Sequence, residues 1–127
     1  MDKVSHFGLP ADDLARAGRF HHDAFGWEVM AFPGMPEYHM ATTVPVNEKM
    51  EPTEVGGING ALFARGSGPT PTAVLVIRVE SIDVALPKVE AAGGKVIFPK
   101  MQVGEHGHYA QFADTEGTIL GLWEQAT

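Results

Sequence analysis

Hydrophobic and polar positions alternate along the first stretch of the chain and then change to a helical period. Residues 3–10 alternate as in a half-buried strand, and apolar residues recur at helical spacing through residues 11–25. Asp12 or Asp13 is expected to cap this helix at its start, and Gly26 to end it. The opening pattern therefore predicts a strand followed by one amphipathic helix.

Three further strands are predicted before the middle of the chain. Strand-like runs and a Pro-Gly turn are followed by a polar, proline-punctuated loop and one more apolar run. The predicted segments are strands 27–32 and 37–44 joined by the turn Pro33–Pro36, a loop over 45–56 and a strand over 57–65.

The same series begins again after a Gly/Pro/Ser/Thr segment at 66–72. Ser81 is expected to cap the second helix, and glycine to end it. The predicted segments are a strand at 73–79, a helix at 81–94 and strands at 95–101, 108–114 and 118–125.

An offset of 68 positions superimposes the two halves. It places Leu14 on Ile82 and Gly26 on Gly94, and it places His6 on Val74. We therefore predict an α+β fold of two tandem βαβββ units in one domain, 1–127. Unit one is 1–65, the linker is 66–72 and unit two is 73–127.

Composition and charge narrow the classes of function. The net charge is −7, which disfavours binding to phosphate backbones, so no nucleic-acid partner is expected. The chain contains no cysteine, which excludes disulfides and thiolate metal sites. No apolar run approaches membrane-spanning length, so we expect no membrane partner and a cytoplasmic location.

The amino-acid sequences of four segments resemble those of the vicinal oxygen chelate superfamily, which contains glyoxalases, bleomycin-resistance proteins and extradiol dioxygenases. The segments are HFGLPADDLARAGRFHHDAFGWEV, GGINGALF, VESIDVALPKVEAAGGKVIFPKM and FADTEGTILGLWEQ. The resemblance, closest to a small bacterial glyoxalase-like branch, implies that the paired units form a cupped, barrel-like mixed sheet with helices outside. It also implies a homodimer and a small organic ligand or substrate held in the cup.

The metal-dependent members of this family hold a divalent ion with His and carboxylate ligands. His6 matches the first family ligand, but Val74 and Gly121 stand at the matching positions of the second and last ligands. Asn59 is the remaining polar candidate, and a neutral amide is a poor ligand for these ions. We therefore expect that the standard four-ligand metal site is not intact, and we predict no cofactor.

A shifted ligand set is the alternative. His106 and His108 share a face if both lie in one strand, whereas Glu124 has the wrong parity to replace the missing carboxylate. With His6, these two histidines support the alternative of a divalent-metal-dependent lyase, isomerase or dioxygenase.

Aromatic and polar side chains on the predicted strands are the candidates for an apolar ligand pocket. Trp123 can stack on a flat ligand, with Gly121 beside it leaving room, and Arg78 can clamp a carboxylate or pair with Glu80 or Asp83. The full set of predicted pocket residues is Trp27, Phe32, Tyr38, His39, Asn59, Arg78, His108 and Trp123.

Whether the protein catalyses a reaction stays open at this point. His6, as an imidazole among apolar positions, is the candidate general base or acid for a metal-independent proton transfer or hydrolysis. A binding protein without turnover, similar to the drug-sequestering members of the family, is the competing interpretation.

Overall fold

The computed structural model describes residues 1–68 and 70–127, and within them the chain forms eight strands and two helices. In chain order they are β1 (Lys3–Ala11), α1 (Leu14–Phe25), β2 (Glu28–Phe32), β3 (Met35–Thr42), β4 (Asn59–Ala64), β5 (Val74–Arg78), α2 (Ile82–Ala91), β6 (Lys95–Val103), β7 (Gly107–Ala113) and β8 (Ile119–Gln125). Neither helix is long and apolar enough to cross a membrane, over the residues just named.

The structure separates into two compact units. The N-terminal unit is His6–Ala73, and the C-terminal unit is Met1–Ser5 together with Val74–Thr127. The strand order is β2-β3-β4-β1 in the first and β6-β7-β8-β5 in the second, each with one parallel pair. This repetition confirms the predicted α+β fold of βαβββ units. The predicted linker contains Pro69, which lies outside the described residues.

Side-chain caps begin both helices at equivalent positions. The Asp13 carboxylate accepts a hydrogen bond from the Arg16 backbone N–H at 2.9 Å, and the Ser81 hydroxyl accepts one from the Val84 N–H at 3.3 Å. Of the two candidate caps of α1, the structure therefore selects Asp13. The two caps are 68 positions apart, as the repeat predicts, and each satisfies a backbone donor that the first helical turn leaves open.

The helix ends depart from the single offset. Gly26 ends α1 with φ +75°, but the left-handed residue after α2 is Gly93 (φ +102°), one position before the predicted equivalent Gly94. After the helices, the offset of 68 positions no longer superimposes the two halves. The chain between β3 and β4 runs over residues 43–58, whereas residues 114–118 suffice between β7 and β8. The halves therefore align without a gap only from the first strand into the helix.

Some strand boundaries also shift by a few residues. The turn after β2 centres on Gly34, whose φ of +80° favours glycine, so β3 begins at Met35 rather than at 37. β4 begins at Asn59 rather than at 57, and β7 begins at Gly107.

Each unit packs its helix against one face of its own sheet. In the C-terminal unit, Ile82 of α2 is fully buried against Ala110, Phe112 and Leu122. In the N-terminal unit, α1 approaches β2 so closely that a side chain at Gly18 would contact Val29. We call the opposite surface of each sheet its helix-free face.

Candidate functional site

The helix-free face of the C-terminal unit carries two aromatic residues side by side. Tyr109 of β7 lies opposite Trp123 of β8, and the next pair along the strands is Gln111 opposite Gly121. Residues one position away point to α2, as Leu122 does in the core. Alternation therefore assigns Tyr109, Gln111 and Trp123 to one surface.

Each of these aromatic rings lies over a glycine of the neighbouring strand. A Cβ atom at Gly121 would fall 2.7 Å from the Tyr109 hydroxyl, and one at Gly107 would fall 2.8 Å from the Trp123 ring. The space at Gly121 is thus taken by Tyr109. The expectation that Gly121 leaves room for a ligand beside Trp123 is wrong, because the ring of the adjacent strand fills it.

Each ring also bonds to a glutamine two residues later in its own strand. The Gln111 side-chain N–H donates to the Tyr109 hydroxyl at 2.7 Å, and the Trp123 indole N–H donates to Gln125 Oε1 at 2.9 Å. Side chains two apart share a face of a strand, so these bonds run along the surface. They hold both rings in place.

Gln111 has an unused acceptor. The residue is 6% exposed, and Gln111 Oε1 is a buried side-chain atom without a hydrogen-bond partner in the described part of the chain. Leaving such a group unpaired costs about 1–3 kcal/mol. Burial raises the pKa of Tyr109, and the bond from Gln111 partly offsets this. The phenol is therefore protonated and able to donate at neutral pH.

Sequence reasoning missed Tyr109 and Gln111, although a signal was present. They alternate with Ala110 and Phe112, which are buried against α2. This alternation alone places the pair on the face that Trp123 occupies.

The helix-free face of the N-terminal unit holds the second group of predicted residues. Tyr38 and Phe32 meet edge to face at 5.9 Å between ring centroids, and Tyr38 lies opposite Phe63 of β4. His6 is half-buried and lies beside Asn59 in the parallel β1–β4 pair. Its parity in β1 is opposite to that of Phe7, as predicted.

Two predicted pocket residues lie on the α1 side of their sheet. Trp27 stacks on His21 of α1, with 4.7 Å between ring centroids, and also contacts Phe7. His39 is adjacent to Tyr38 in β3, so its side chain points to the other face, where it lines a depression of about 380 Å³ with His22 of α1. Trp27 and His39 therefore do not share a face with Tyr38, and their contact with a ligand stays a prediction.

Asn59 has a structural role instead of the expected place in the pocket. Its side-chain oxygen accepts from the backbone N–H groups of Thr43 (2.7 Å) and Val44 (2.9 Å), and its N–H donates to the Val44 carbonyl at 3.1 Å. Both ends of the amide are thus used to fasten the residue 43–58 loop to β4.

His108 points towards α2 and away from Trp123. It lies opposite Glu124, and the Glu124 carboxylate accepts from the Ile82 N–H at 2.7 Å, at the first turn of α2. His106 lies in the turn before β7, so the two histidines do not share a strand face. His108 therefore does not share a face with Trp123, and its contact with a ligand stays a prediction.

Glu124 instead belongs to a charged cluster at the start of α2. Lys100 Nζ lies 2.8 Å from the carboxylate of Asp83 and 3.4 Å from that of Glu124. The Ile82 N–H, followed by the Lys100 and His108 charges, lowers the pKa of Glu124. The carboxylate is therefore occupied on the α2 side of the sheet.

Arg78 lies beside Trp123 in the parallel β5–β8 pair, on the helix-free face as predicted. With Glu80 and Gln125 it lines an open depression of about 390 Å³. Its position suits contact with an anionic group at the rim of the sheet.

The residues at the family's metal-ligand positions do not fit a divalent ion. Val74 is 3% exposed and supplies only carbon, Gly121 supplies no side chain, and the Asn59 oxygen already accepts two hydrogen bonds. Over residues 1–68 and 70–127, no three His, Cys, Asp or Glu side chains are grouped to hold a metal ion.

Comparison with known proteins shows a family model that matches most of the chain. The model described as "Glyoxalase/Bleomycin resistance protein/Dioxygenase superfamily" matches residues 3–122. "Putative glyoxylase CFP32" of Mycobacterium bovis is 28% identical over 91% of this chain and 43% of its own length. "Anthracycline biosynthesis protein DnrV" of Streptomyces peucetius is 29% identical over 94% of this chain and 46% of its own length. The chain thus spans less than half of either relative.

A solved structure with the same fold is methylmalonyl-CoA epimerase of Streptomyces coelicolor. It superimposes with a TM-score of 0.72 over 98% of both chains, at 14% sequence identity. At this identity the likeness concerns the fold.

Proposed function

Because the chain belongs to the glyoxalase/bleomycin resistance protein/dioxygenase superfamily, we propose that it binds a flat, largely apolar organic molecule without a metal ion. The ligand lies on the helix-free face of the C-terminal unit, against Trp123. Small-molecule sites combine an apolar surface with a few placed polar groups, and this face has both.

The observation that carries this proposal is the held Trp123 ring. Its indole N–H is bonded to Gln125 and its edge rests on Gly107, so little side-chain entropy is lost when a ligand stacks on it. Phe98 and Met101 of β6, opposite Gln111 and Tyr109, extend the apolar surface. The relative from anthracycline biosynthesis supports an aromatic ligand, since anthracyclines are flat polycyclic molecules.

Metal independence rests on the chemistry of the family's ligand positions. Valine and glycine at two of the four positions leave too few donors for an ion that needs four to six. A divalent-metal lyase, isomerase or dioxygenase is the alternative. It requires a ligand set other than His6, His106 and His108, because the last two do not share a face.

Calorimetric titration with 1,8-dihydroxyanthraquinone tests the proposal. We expect binding by wild-type protein and a loss of about tenfold or more in Trp123→Leu, since the stacking surface is removed. The matched control is Trp27→Leu. It removes the other tryptophan of the chain, on the α1 side, and is expected to bind the probe as wild type does.

Chelator-treated protein is expected to bind the probe with unchanged affinity. Its melting temperature should not rise with Zn²⁺, Ni²⁺, Mn²⁺ or Fe²⁺, since a ligand of the native state would raise it. Probe binding that disappears on chelation and returns with one of these ions would establish the metal-dependent alternative. Absence of probe binding under all conditions would overturn the proposal.

Independently of the ligand at Trp123, we propose that His6 supplies acid–base chemistry to a substrate held on the helix-free face of the N-terminal unit. Among the described residues it is the histidine on a helix-free face: His21 and His22 lie on α1, His39 faces α1, His106 is in a turn and His108 faces α2. An imidazole titrates near neutral pH and suits proton transfer. On a substrate identified by binding, His6→Gln should retain affinity and lose turnover; undiminished turnover would overturn this role.

The homodimeric state and the cytoplasmic location stay predictions. Sedimentation of the purified chain and fractionation of cells test them directly.

A further inference from the structure

We propose that Gln111 and Tyr109 together recognise a ligand group in which a hydrogen-bond donor and an acceptor are adjacent, as in a lactam or other amide. This inference rests on the proposed function and names the class of ligand that the same face takes.

The acceptor of the pair is a buried side-chain oxygen of Gln111. Gln111 Oε1 is buried without a partner among the described residues, while the other end of the same amide donates to Tyr109 at 2.7 Å. Buried polar side-chain atoms are almost always paired, and a native exception calls for a functional explanation. The desolvation of this oxygen is already complete before a ligand binds, so a donor that reaches it gains most of the bond.

The donor of the pair is the phenol O–H of Tyr109. Because its oxygen accepts from Gln111, the phenol O–H is left to donate. Oε1 of Gln111 and the O–H of Tyr109 thus form an acceptor and a donor side by side. If the Gln111 amide is turned over, its N–H becomes the donor and the Tyr109 oxygen the acceptor. An amide satisfies either arrangement by reversing its own orientation.

Access to the pair is the remaining condition. Phe98 and Met101 lie opposite Gln111 and Tyr109 on the neighbouring β6, and their side chains are 38% and 40% exposed. These neighbours of the pair are therefore apolar, partly in solvent and, for methionine, flexible. An aromatic lactam matches both the apolar surroundings and the polar pair.

The N-terminal unit provides an internal comparison. Met40 pairs with Ala61 as Gln111 pairs with Gly121, and Tyr38 pairs with Phe63 as Tyr109 pairs with Trp123. Methionine at this position fills the same surface without a polar group. The glutamine is thus not required by the fold, since the equivalent sheet forms with methionine.

The test uses three flat bicyclic probes. 2-Quinolone has an N–H beside a carbonyl, 1-methyl-2-quinolone lacks the N–H, and quinoline lacks both groups and presents an acceptor nitrogen in place of the N–H. For wild-type protein we expect 2-quinolone to bind at least tenfold tighter than either of the others, as one additional buried hydrogen bond predicts. Calorimetric titration of the full chain measures all three.

Two variants assign the preference to the pair. In Gln111→Met the ratio between 2-quinolone and 1-methyl-2-quinolone should fall to about one. In Tyr109→Phe, which keeps the ring over Gly121, both quinolones should weaken, because their carbonyl loses the donor of the phenol O–H. The matched control is Gln102→Met, a glutamine on the other face of β6 that bonds to the Gly104 carbonyl, and it should keep the wild-type ratio.

The outcomes separate the two proposals. Equal affinity of wild type for all three probes would overturn amide recognition and leave the aromatic site intact. A ratio that persists in Gln111→Met would likewise overturn it. If none of the three probes binds, both proposals are overturned.

Discussion

The two βαβββ units share strand order and helix caps, yet their helix-free faces differ in polarity. The N-terminal face presents Tyr38, Met40 and Phe63, whereas the C-terminal face presents Tyr109, Gln111 and Trp123 at the corresponding pairs. Cores and caps are set by what any such unit needs to fold. The difference between the units thus lies on the helix-free faces, where Met40 of one unit corresponds to Gln111 of the other.

The units also differ in how the chain connects their last two strands. Asp114 folds residues 114–118 into a tight turn, with its carboxylate accepting from the N–H groups of Glu116 and Thr118 at 2.9 Å each. The equivalent connection at 43–58 is fastened by the side chain of Asn59. The same topology thus accommodates a long loop in one unit, where the partly buried amide of Asn59 pairs with three backbone groups at the start of the loop.

The largest effect is expected where the units are alike. Leu62 and Leu122 hold the same place in β4 and β8 and are 1% and 3% exposed. Leu62→Ala and Leu122→Ala should each lower the free energy of unfolding by about 2–5 kcal/mol, through lost burial and a cavity. Urea denaturation measures both. A loss below 1 kcal/mol in either variant would mean that the two cores are not equivalent.

The next largest change in the free energy of unfolding should have opposite signs in the two units. Gln111→Met removes a buried unpaired oxygen and should raise the free energy of unfolding by about 1–3 kcal/mol. Met40→Gln places a polar group at the equivalent position and should lower it. Urea denaturation of both variants beside wild type provides the measurement. Destabilisation by Gln111→Met would show either that Oε1 has a partner or that the lost bond to Tyr109 outweighs the cost of the unpaired oxygen.

A smaller effect is expected from exchanging the residues beneath the tyrosines. Gly121→Ala places a Cβ 2.7 Å from the Tyr109 hydroxyl, so the ring must move and its bond to Gln111 breaks. We expect a cost of about 1 kcal/mol and a shift in the near-ultraviolet spectrum of tyrosine. Ala61→Gly, the reciprocal exchange, should leave that spectrum unchanged. An unshifted spectrum in Gly121→Ala would contradict the contact.

The smallest effect at neutral pH is expected from Glu124→Gln, since an amide oxygen also accepts from the Ile82 N–H. The difference appears in acid. The pKa of Glu124 is lowered in the folded state, so its stabilisation is present above the pKa of the unfolded chain and is lost as the pH falls through the folded value.

Melting temperatures measured between about pH 7 and about pH 3 test the role of Glu124. The wild type should lose more stability than Glu124→Gln over the acidic part of this range. Parallel curves for the two proteins would show that the carboxylate charge contributes nothing there. The N-terminal unit offers the contrast, because Ala64 stands at the position in β4 that Glu124 holds in β8.

The sequence by itself determined the elements whose signals are local. Asp12 or Asp13, together with Ser81 and Gly26, predicted helix ends because capping and left-handed turns depend on residues within one helical turn, and the structure chose Asp13. The alternation in β8 correctly separated Trp123 from Leu122 and excluded Glu124 from the helix-free face, because side chains alternate along any regular strand. The family resemblance implied the βαβββ order, and the structure confirms it.

Only the tertiary structure decided which predicted pocket residues share a surface. Trp27, His39 and His108 lie on the helix sides of their sheets, and only the packing of the helices shows which face of each sheet a helix covers. Two contacts of the site join residues from different elements. The Ile82 N–H donates to Glu124, which is distant in sequence, and the Tyr109 ring lies over Gly121 of the neighbouring strand. No local pattern encodes such contacts, because they depend on strand register and on the packing of the helix.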